Sequence, residues 1–150
     1  MGLVQLPWNP FDAADHGPCI NVVLTNTDEA IEAGGEIGLQ YPEPVTIRAL
    51  IDTGSPFTIV NRVYAKSQKL ILTNPRTEIR TLGGQHPCGE HSGALSFPET
   101  SLRRIPVMRI LSGDFGQERF HSCLIGRDVL RYWKITFDGH KRLIRIEDQA

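Results

Sequence analysis

The sequence predicts an all-β domain. Short segments rich in β-branched and apolar residues recur at regular intervals, with turns containing Gly and Pro between them, which is typical of β-barrels and sandwiches. The chain has 150 residues, of which 40% are apolar and 22% charged, and this composition suits one domain around one core. Its C-terminal end carries an alternating hairpin pattern. The sequence contains no internal repeat and no low-complexity segment.

The predicted elements follow one another along the chain. Strands are predicted at 19–24, 45–51, 57–61, 77–82, 94–97, 105–111 and 119–125. Short helices or turns are predicted at 63–69 and 128–132. The clearest pair of strands is 133–137 and 143–146. The dipeptide Asp138-Gly139 between them predicts a tight type I′ turn.

The first 18 residues are predicted to form an irregular N-terminal extension before a domain at 19–150. Pro7, Pro10 and Pro18 interrupt this segment, and proline is poorly tolerated inside regular elements. We expect its apolar residues to cover either the body of the domain or a partner chain.

Two further segments are predicted to be loops. Residues 25–38 are polar, and Gly34-Gly35 marks the expected tip of a turn-rich stretch. Residues 83–93 contain four glycines and a proline, which predicts a mobile surface loop rather than core.

Charge and composition exclude several classes of function. The net charge of −1 argues against a nucleic-acid-binding surface, which would carry an excess of basic residues. No apolar stretch approaches the ~20 residues that span a bilayer, and the N-terminus lacks a signal-peptide pattern. Cys19, Cys88 and Cys123 are an odd number without paired spacing, which favours reduced thiols. We therefore expect a cytoplasmic protein, or a soluble domain excised from a longer one.

The motif Asp52-Thr53-Gly54-Ser55 lies between two apolar, strand-like runs. Aspartate is rarely placed among buried strands without partners. Two interpretations follow: a catalytic carboxylate, or an Asx-turn in which the side chain caps backbone amides.

A second motif supports the catalytic interpretation. The segment Leu124-Ile125-Gly126 is followed by a polar pair that opens a short helix, and a Gly-rich hairpin lies between it and the Asp52 motif. The two motifs in this order resemble those of retropepsin-like aspartic proteases, the family that includes retroviral proteases. The resemblance covers roughly residues 19–147.

The resemblance implies a half-barrel of the acid protease fold with one short helix, assembling as a symmetric homodimer. Each subunit would supply one Asp52, and the two carboxyls would activate water to hydrolyse a peptide bond in a peptide or protein substrate. Two carboxyls a few ångströms apart share one proton, so the expected optimum is acidic to neutral. No metal or organic cofactor is needed.

The resemblance also assigns supporting roles. Gly54 would let its backbone donate to the carboxylates, and Thr53 would hydrogen-bond across the dimer axis. Ser55 would donate to the outer carboxylate oxygen, and Gly126 would pack tightly beside the Asp loop. The candidate substrate-binding flap is formed by Gly83, Gly84, Gln85 and His86.

Residues next to the second motif have structural roles in this interpretation. Asp128 is expected on the short helix, away from the catalytic pair, and Arg127 is expected to form an ion pair with it. Cys123 is predicted to be a small core residue.

Two alternatives remain open from the sequence. One is a catalytically silent module that uses the same fold for peptide binding or dimerisation. The other is a zinc-binding domain, because His86, Cys88 and His91 are all common zinc ligands, although their spacing matches no standard site. Cys88 is expected to be exposed.

Overall fold

The computed structural model describes residues 2–7, 17–81, 83–114 and 121–149. In these ranges the strands are β1 (Leu3–Pro7), β2 (Cys19–Thr25), β3 (Thr46–Ile51), β4 (Ile59–Asn61), β5 (Ile71–Thr81), β6 (Gly84–Ser96), β7 (Ile105–Gly113), β8 (Cys123–Ile125), β9 (Trp133–Asp138) and β10 (Leu143–Asp148). The helices are α1 (Asp28–Glu36), α2 (Arg62–Ser67) and α3 (Arg127–Leu130). The all-β prediction is confirmed. The helices α2 and α3 overlap the two segments predicted as short helices or turns, whereas the resemblance implied one short helix and the segment of α1 was predicted to be a loop.

The strands form two sheets. The larger has the order β2-β3-β8-β4-β7-β6-β5, and β2 also pairs with β6, which curls the sheet back on itself. The smaller has the order β1-β10-β9. The β3–β8 and β4–β7 pairs are parallel, so the carboxyl ends of β3 and β8 lie side by side. This arrangement places the loop after β3 next to the start of α3.

The core follows the alternation of the strands. In β2, Ile20, Val22 and Leu24 are buried, because successive side chains point to opposite faces of a strand. Residues from the second motif, from the C-terminal hairpin and from β6 and β7 complete one buried cluster. No helix in the described part of the chain is long and apolar enough to cross a membrane.

The predicted irregular extension is wrong for residues 3–7. These residues form β1, which pairs antiparallel with β10, and Val4 and Leu6 pack against the core. Pro7 ends the strand at the edge of the sheet, a position that tolerates proline. Residues 1 and 8–16 of the predicted extension lie outside the described residues.

The turn-rich prediction for residues 25–38 is also wrong, because α1 occupies most of this segment. Thr27 caps the helix by accepting from the Ala30 amide, a strong start signal. Gly34 lies inside the helix, and a Cβ at this position would overlap the ring of Tyr41. The Tyr41 hydroxyl donates to the Ala30 carbonyl at 2.9 Å. The glycine therefore serves close packing rather than a turn.

The predicted loop at 83–93 is mainly strand. Residues 84–93 belong to β6, which pairs with β5 on one side and β7 on the other. Its second half is buried, including His91 and Ser92. Cys88, expected to be exposed, is also buried, and burial raises the pKa of its thiol while Arg62 opposes part of this shift.

The C-terminal hairpin is confirmed, but its turn is longer than predicted. Asp138 pairs with Leu143, so residues 139–142 form the loop rather than Asp138-Gly139. The Lys141 amide donates to the Asp138 carboxylate at 2.8 Å, and Arg142 adopts a positive φ of 55°. Of the predicted strand at 119–125, only 123–125 is a described strand.

Asp148 joins the N-terminal strand to the end of the domain. Its carboxylate accepts from the backbone amides of Gly2 and Arg103, and the Arg103 guanidinium lies 3.6 Å away. The side chain is only 5% exposed. These amides and the guanidinium lower the pKa of Asp148, whereas its burial opposes the shift.

We expect Asp148→Asn to lower the free energy of unfolding at pH 7 by about 1–2 kcal/mol, because charge-assisted hydrogen bonds are lost. A carboxyl whose pKa is depressed by folding stabilises above its ordinary pKa, and this contribution is lost as pH falls through the folded-state value. The difference between variant and native protein should therefore shrink at about pH 3. Urea unfolding at both pH values measures it, with exposed Glu32→Gln as the control. A difference that is unchanged between the two pH values would contradict the prediction.

Candidate active site

Asp52 begins a tight loop at the carboxyl end of β3. Its amide donates to the Ile125 carbonyl of β8 at 3.0 Å, and its own carbonyl accepts from the Ser55 amide at 3.2 Å. The Ser55 carbonyl in turn accepts from the Arg127 amide at 2.8 Å. The backbone of the Asp loop, residues 52–55, is thus fixed by the second motif.

The Asp52 carboxylate is half-buried and has a backbone donor within the loop. The Gly54 amide donates to Oδ1 at 2.9 Å, as predicted from the resemblance. A Cβ on Gly54 would lie 3.2 Å from the same oxygen, which is tight for a carbon contact. Glycine at this position therefore allows the amide to approach.

Ser55 does not take the predicted role. Its hydroxyl donates to the Phe57 carbonyl at 2.6 Å, and a serine hydroxyl has one proton to donate. The expected donation from Ser55 to the outer oxygen of Asp52 is therefore wrong in this single chain. The hydroxyl instead closes the backbone turn that leads into β4.

Thr53 lies exposed at the tip of the loop. Its carbonyl accepts from the Arg127 guanidinium at 2.9 Å. The predicted ion pair between Arg127 and Asp128 is thus replaced by two separate contacts, because Asp128 turns inward toward Thr58. Asp128 itself lies on α3, as predicted.

A buried network holds the Asp loop against α3. The Thr58 hydroxyl donates to Asp128 Oδ1 at 2.8 Å and accepts from the Gly126 amide at 3.2 Å. The Thr58 amide donates to Asp128 Oδ2 at 3.0 Å. A Cβ on Gly126 would overlap the backbone of Phe57, so the predicted tight packing of Gly126 is confirmed.

Asp52 opens into a cleft of about 680 Å³. Its floor and walls come from the Asp loop and the segments beside it, and the hairpin of β5 and β6 faces them from the other side. The side of the Asp loop is lined by Asp52, Gly54, Ser55, Pro56, Phe57, Ile59 and Leu124, and the hairpin side is lined by Glu78, Ile79, Arg80 and Gly83. A cleft of this size fits a peptide-length ligand segment.

The segment predicted to form a flap belongs to the β5–β6 hairpin, but the hairpin residues that line the cleft differ from the prediction. Gly83 lines the cleft. Gly84, Gln85 and His86 are exposed on β6 and are not among the described lining residues. Glu78, Ile79 and Arg80 of β5 lie there instead, and the sequence offered no signal for them beyond their strand pattern. Thr58 was missed for the same reason, since a threonine in an apolar run resembles any other strand residue.

Zinc binding through His86, Cys88 and His91 has no geometric support. Within the described ranges, no group of three His, Cys, Asp or Glu side chains could hold a metal ion. His91 hydrogen-bonds through Nε2 to Ser112 Oγ at 2.8 Å. Cys123 is fully buried, as predicted, and burial raises the pKa of its thiol strongly.

We expect Thr58→Val to lower the free energy of unfolding by about 2 kcal/mol, because the buried Gly126 amide loses its partner and Asp128 Oδ1 keeps only the Val129 amide. Chemical denaturation measures the change. Thr136→Val, an isosteric change at an exposed position of β9, should alter stability by less than about 0.5 kcal/mol. Equal effects of the two substitutions would show that the network contributes nothing.

Comparison by sequence finds no matching protein-family model and no matching curated protein. By structure, the chain is similar to a retropepsin-like aspartic protease from Rickettsia conorii, with a TM-score of 0.58 and 15% identity over 97% of this chain and 89% of that one. It is also similar to EIAV protease in complex with the inhibitor HBY-793, with a TM-score of 0.55 and 17% identity over 84% of this chain and 92% of that one. The chain therefore has the retropepsin-like fold, as its two motifs predicted.

Proposed function

We propose that the protein is an aspartic endopeptidase that acts as a homodimer. The observation that carries the proposal is the half-buried Asp52 carboxylate at the floor of the cleft, with a backbone donor on Oδ1 and a hairpin opposite it. The fold shared with two proteases adds support.

The chemistry requires two carboxyls that share one proton. The ionised carboxyl takes a proton from water as the water oxygen attacks the peptide carbonyl, and the protonated carboxyl donates to the carbonyl oxygen. Transfer of a proton to the amide nitrogen then lets the C–N bond break. The hairpin would exclude bulk water and bind the substrate backbone.

A single chain supplies one Asp52, so the second carboxyl needs a source. Among the described residues that line the cleft, Glu78 carries the other carboxylate. It lies exposed on the flap strand, with its side chain 52% exposed and 4.0 Å from Arg76, and no backbone amide is shown fixing it as Gly54 fixes Asp52. We therefore assign the second carboxyl to Asp52 of a symmetry-related copy, with Thr53 at the contact between the two loops.

The cellular setting is part of the proposal. Cys19, Cys88 and Cys123 are free thiols in the structure, which supports a reducing compartment such as the cytoplasm.

We expect Asp52→Asn to reduce peptide hydrolysis by at least about a thousandfold, because the amide can neither accept nor share the proton. Glu78→Gln, at the other carboxylate of the cleft, should leave kcat within about threefold. A fluorogenic peptide library at acidic and neutral pH provides the measurement, and circular dichroism confirms folding. If Asp52→Asn retains full activity, the assignment of Asp52 is wrong. If the native protein binds peptides without cleaving any, the fold serves as a silent binding module instead.

Mixing experiments test the homodimer. When native and Asp52→Asn subunits are mixed in equal amounts and allowed to exchange, random pairing leaves about one quarter of the dimers with two aspartates. The activity per total subunit should then fall to about a quarter of the native value. A fall to half, or activity that is independent of dilution in a protein that sediments as a monomer, would show that one chain is sufficient.

A further inference from the structure

A second groove lies between α2 and the start of β5, and its described lining residues are all different from those of the Asp52 cleft. Two adjoining cavities, of about 250 and 500 Å³, share Arg62, Leu72, His91 and Ser112 in their walls. One wall is α2, and the opposite wall is the start of β5. We call this feature the basic groove because of its charged residues.

Four cationic side chains line the basic groove, and no carboxylate is among its described lining residues. The cations are Arg62, Lys66, Lys69 and Arg76. This concentration of positive charge occurs in a chain whose net charge is −1. A concave surface lined by one sign of charge raises the local concentration of ligands of the opposite sign.

The ion pairs these residues make are weak competitors for a ligand. Arg62 contacts Asp114 at 3.4 Å, with side chains 50% and 79% exposed. Arg76 lies 4.0 Å from Glu78 and is itself 75% exposed. Exposed pairs of this kind contribute little free energy, so the guanidinium groups can exchange these partners for a bound anion.

The floor of the basic groove contains a polar pair, His91 and Ser112, which is largely buried. A Cβ on Gly89 would lie 2.8 Å from Ser112 Oγ and 3.1 Å from His91 Nε2, so any larger residue would displace this hydrogen-bonded pair and alter the shape of the floor. His91 Nδ1 is also buried, and no described group meets hydrogen-bond geometry with it. Burial lowers the pKa of His91, and an interaction with the Leu70 backbone opposes part of this shift.

The spacing of the cations indicates an extended ligand rather than a single oxyanion. Arg62 and Lys66 are one turn apart on α2, a separation of roughly 6 Å along the helix axis. Alternate side chains of an extended peptide are separated by a similar distance, roughly 6.6 Å. Arg76 lies across the groove on β5 and can contact the same chain from the other side.

We propose that the basic groove binds an acidic peptide segment in extended conformation, with carboxylates at alternate positions facing Arg62 and Lys66 and a carboxylate at an intervening position facing Arg76. This binding site is separate from the Asp52 cleft and does not depend on peptidase activity.

Fluorescence anisotropy of the full chain with a labelled ten-residue peptide of glutamate, which presents carboxylates to both walls, tests the proposal at low salt. We expect saturable binding, and a dissociation constant raised about tenfold by Lys66→Ala/Arg76→Ala, because two charge contacts are removed. The matched control is Lys134→Ala/Lys141→Ala, which removes the same charge from the exposed C-terminal hairpin and should change the constant less than twofold. A ten-residue peptide of glutamine should not bind.

Gly89→Ala tests the floor without altering the charge. It should weaken binding at least threefold in a protein whose melting temperature shows that it is folded. The proposal is overturned if the native protein does not bind the acidic peptide, or if both double variants weaken binding equally. It is also overturned if inorganic phosphate displaces the peptide at concentrations near the peptide's dissociation constant, since that would show a site for a single oxyanion.

Discussion

The hydrogen-bonded contact between Thr58 and Asp128 is the interaction on which the candidate site depends. It joins the segment that leaves the Asp loop to the helix that follows the second motif, and the Gly126 amide completes it. Removing a carboxylate from water, even in part, is costly unless it is hydrogen-bonded, and here the amide and hydroxyl of Thr58 donate to its two oxygens, with the Val129 amide as a further donor. These hydrogen bonds therefore favour one relative position of the two motifs, and the Asp52 carboxylate is oriented as a consequence.

The parts of the fold that could be predicted from the sequence are those with local patterns. Strands such as β2 and β3 alternate buried and exposed residues, and the two motifs that flank the site are short and contiguous. Thr58 carries no such pattern, because its role arises from a residue far along the chain. Sequence reasoning therefore found the carboxylate and its glycines but missed the side chain that holds them together.

The errors around glycine have a common physical cause. Gly34, Gly89 and Gly93 were interpreted as turn residues, yet all three lie inside regular elements where another group approaches the backbone. Those groups are the Tyr41 ring, the His91–Ser112 pair, and the Ile110 side chain with the Thr25 carbonyl. Glycine permits unusual backbone angles and also close contacts, and a single sequence does not distinguish these uses. For the same reason, residues 83–93 were predicted to be a loop, although most of them belong to the long β5–β6 hairpin.

That hairpin connects the two concave surfaces of the molecule. β5 runs from the basic groove at Leu72 and Arg76 to the Asp52 cleft at Glu78 and Arg80. Its stem is tied to the cleft wall, because Arg109 of β7 contacts Glu90 at 2.9 Å and lies over the ring of Phe57. A ligand in the groove would therefore touch the same strand that faces Asp52. The structure provides a physical connection between the two sites, whereas energetic coupling requires two states of the hairpin.

The smaller sheet limits where a partner strand could pair with it. β10 is already paired on both sides, with β9 and with β1, so its backbone has no free edge for a partner strand. Within the described strands of this sheet, the edges are β1 and β9, and the Leu3 amide of β1 already donates to the Ser101 hydroxyl at 3.1 Å. Strand addition to this sheet would therefore use one of these edges or displace β1 from β10. The hydrogen bonds that shape the Asp loop lie within one chain, so an association that joined two such loops would join loops that are already formed, and little ordering free energy would be lost.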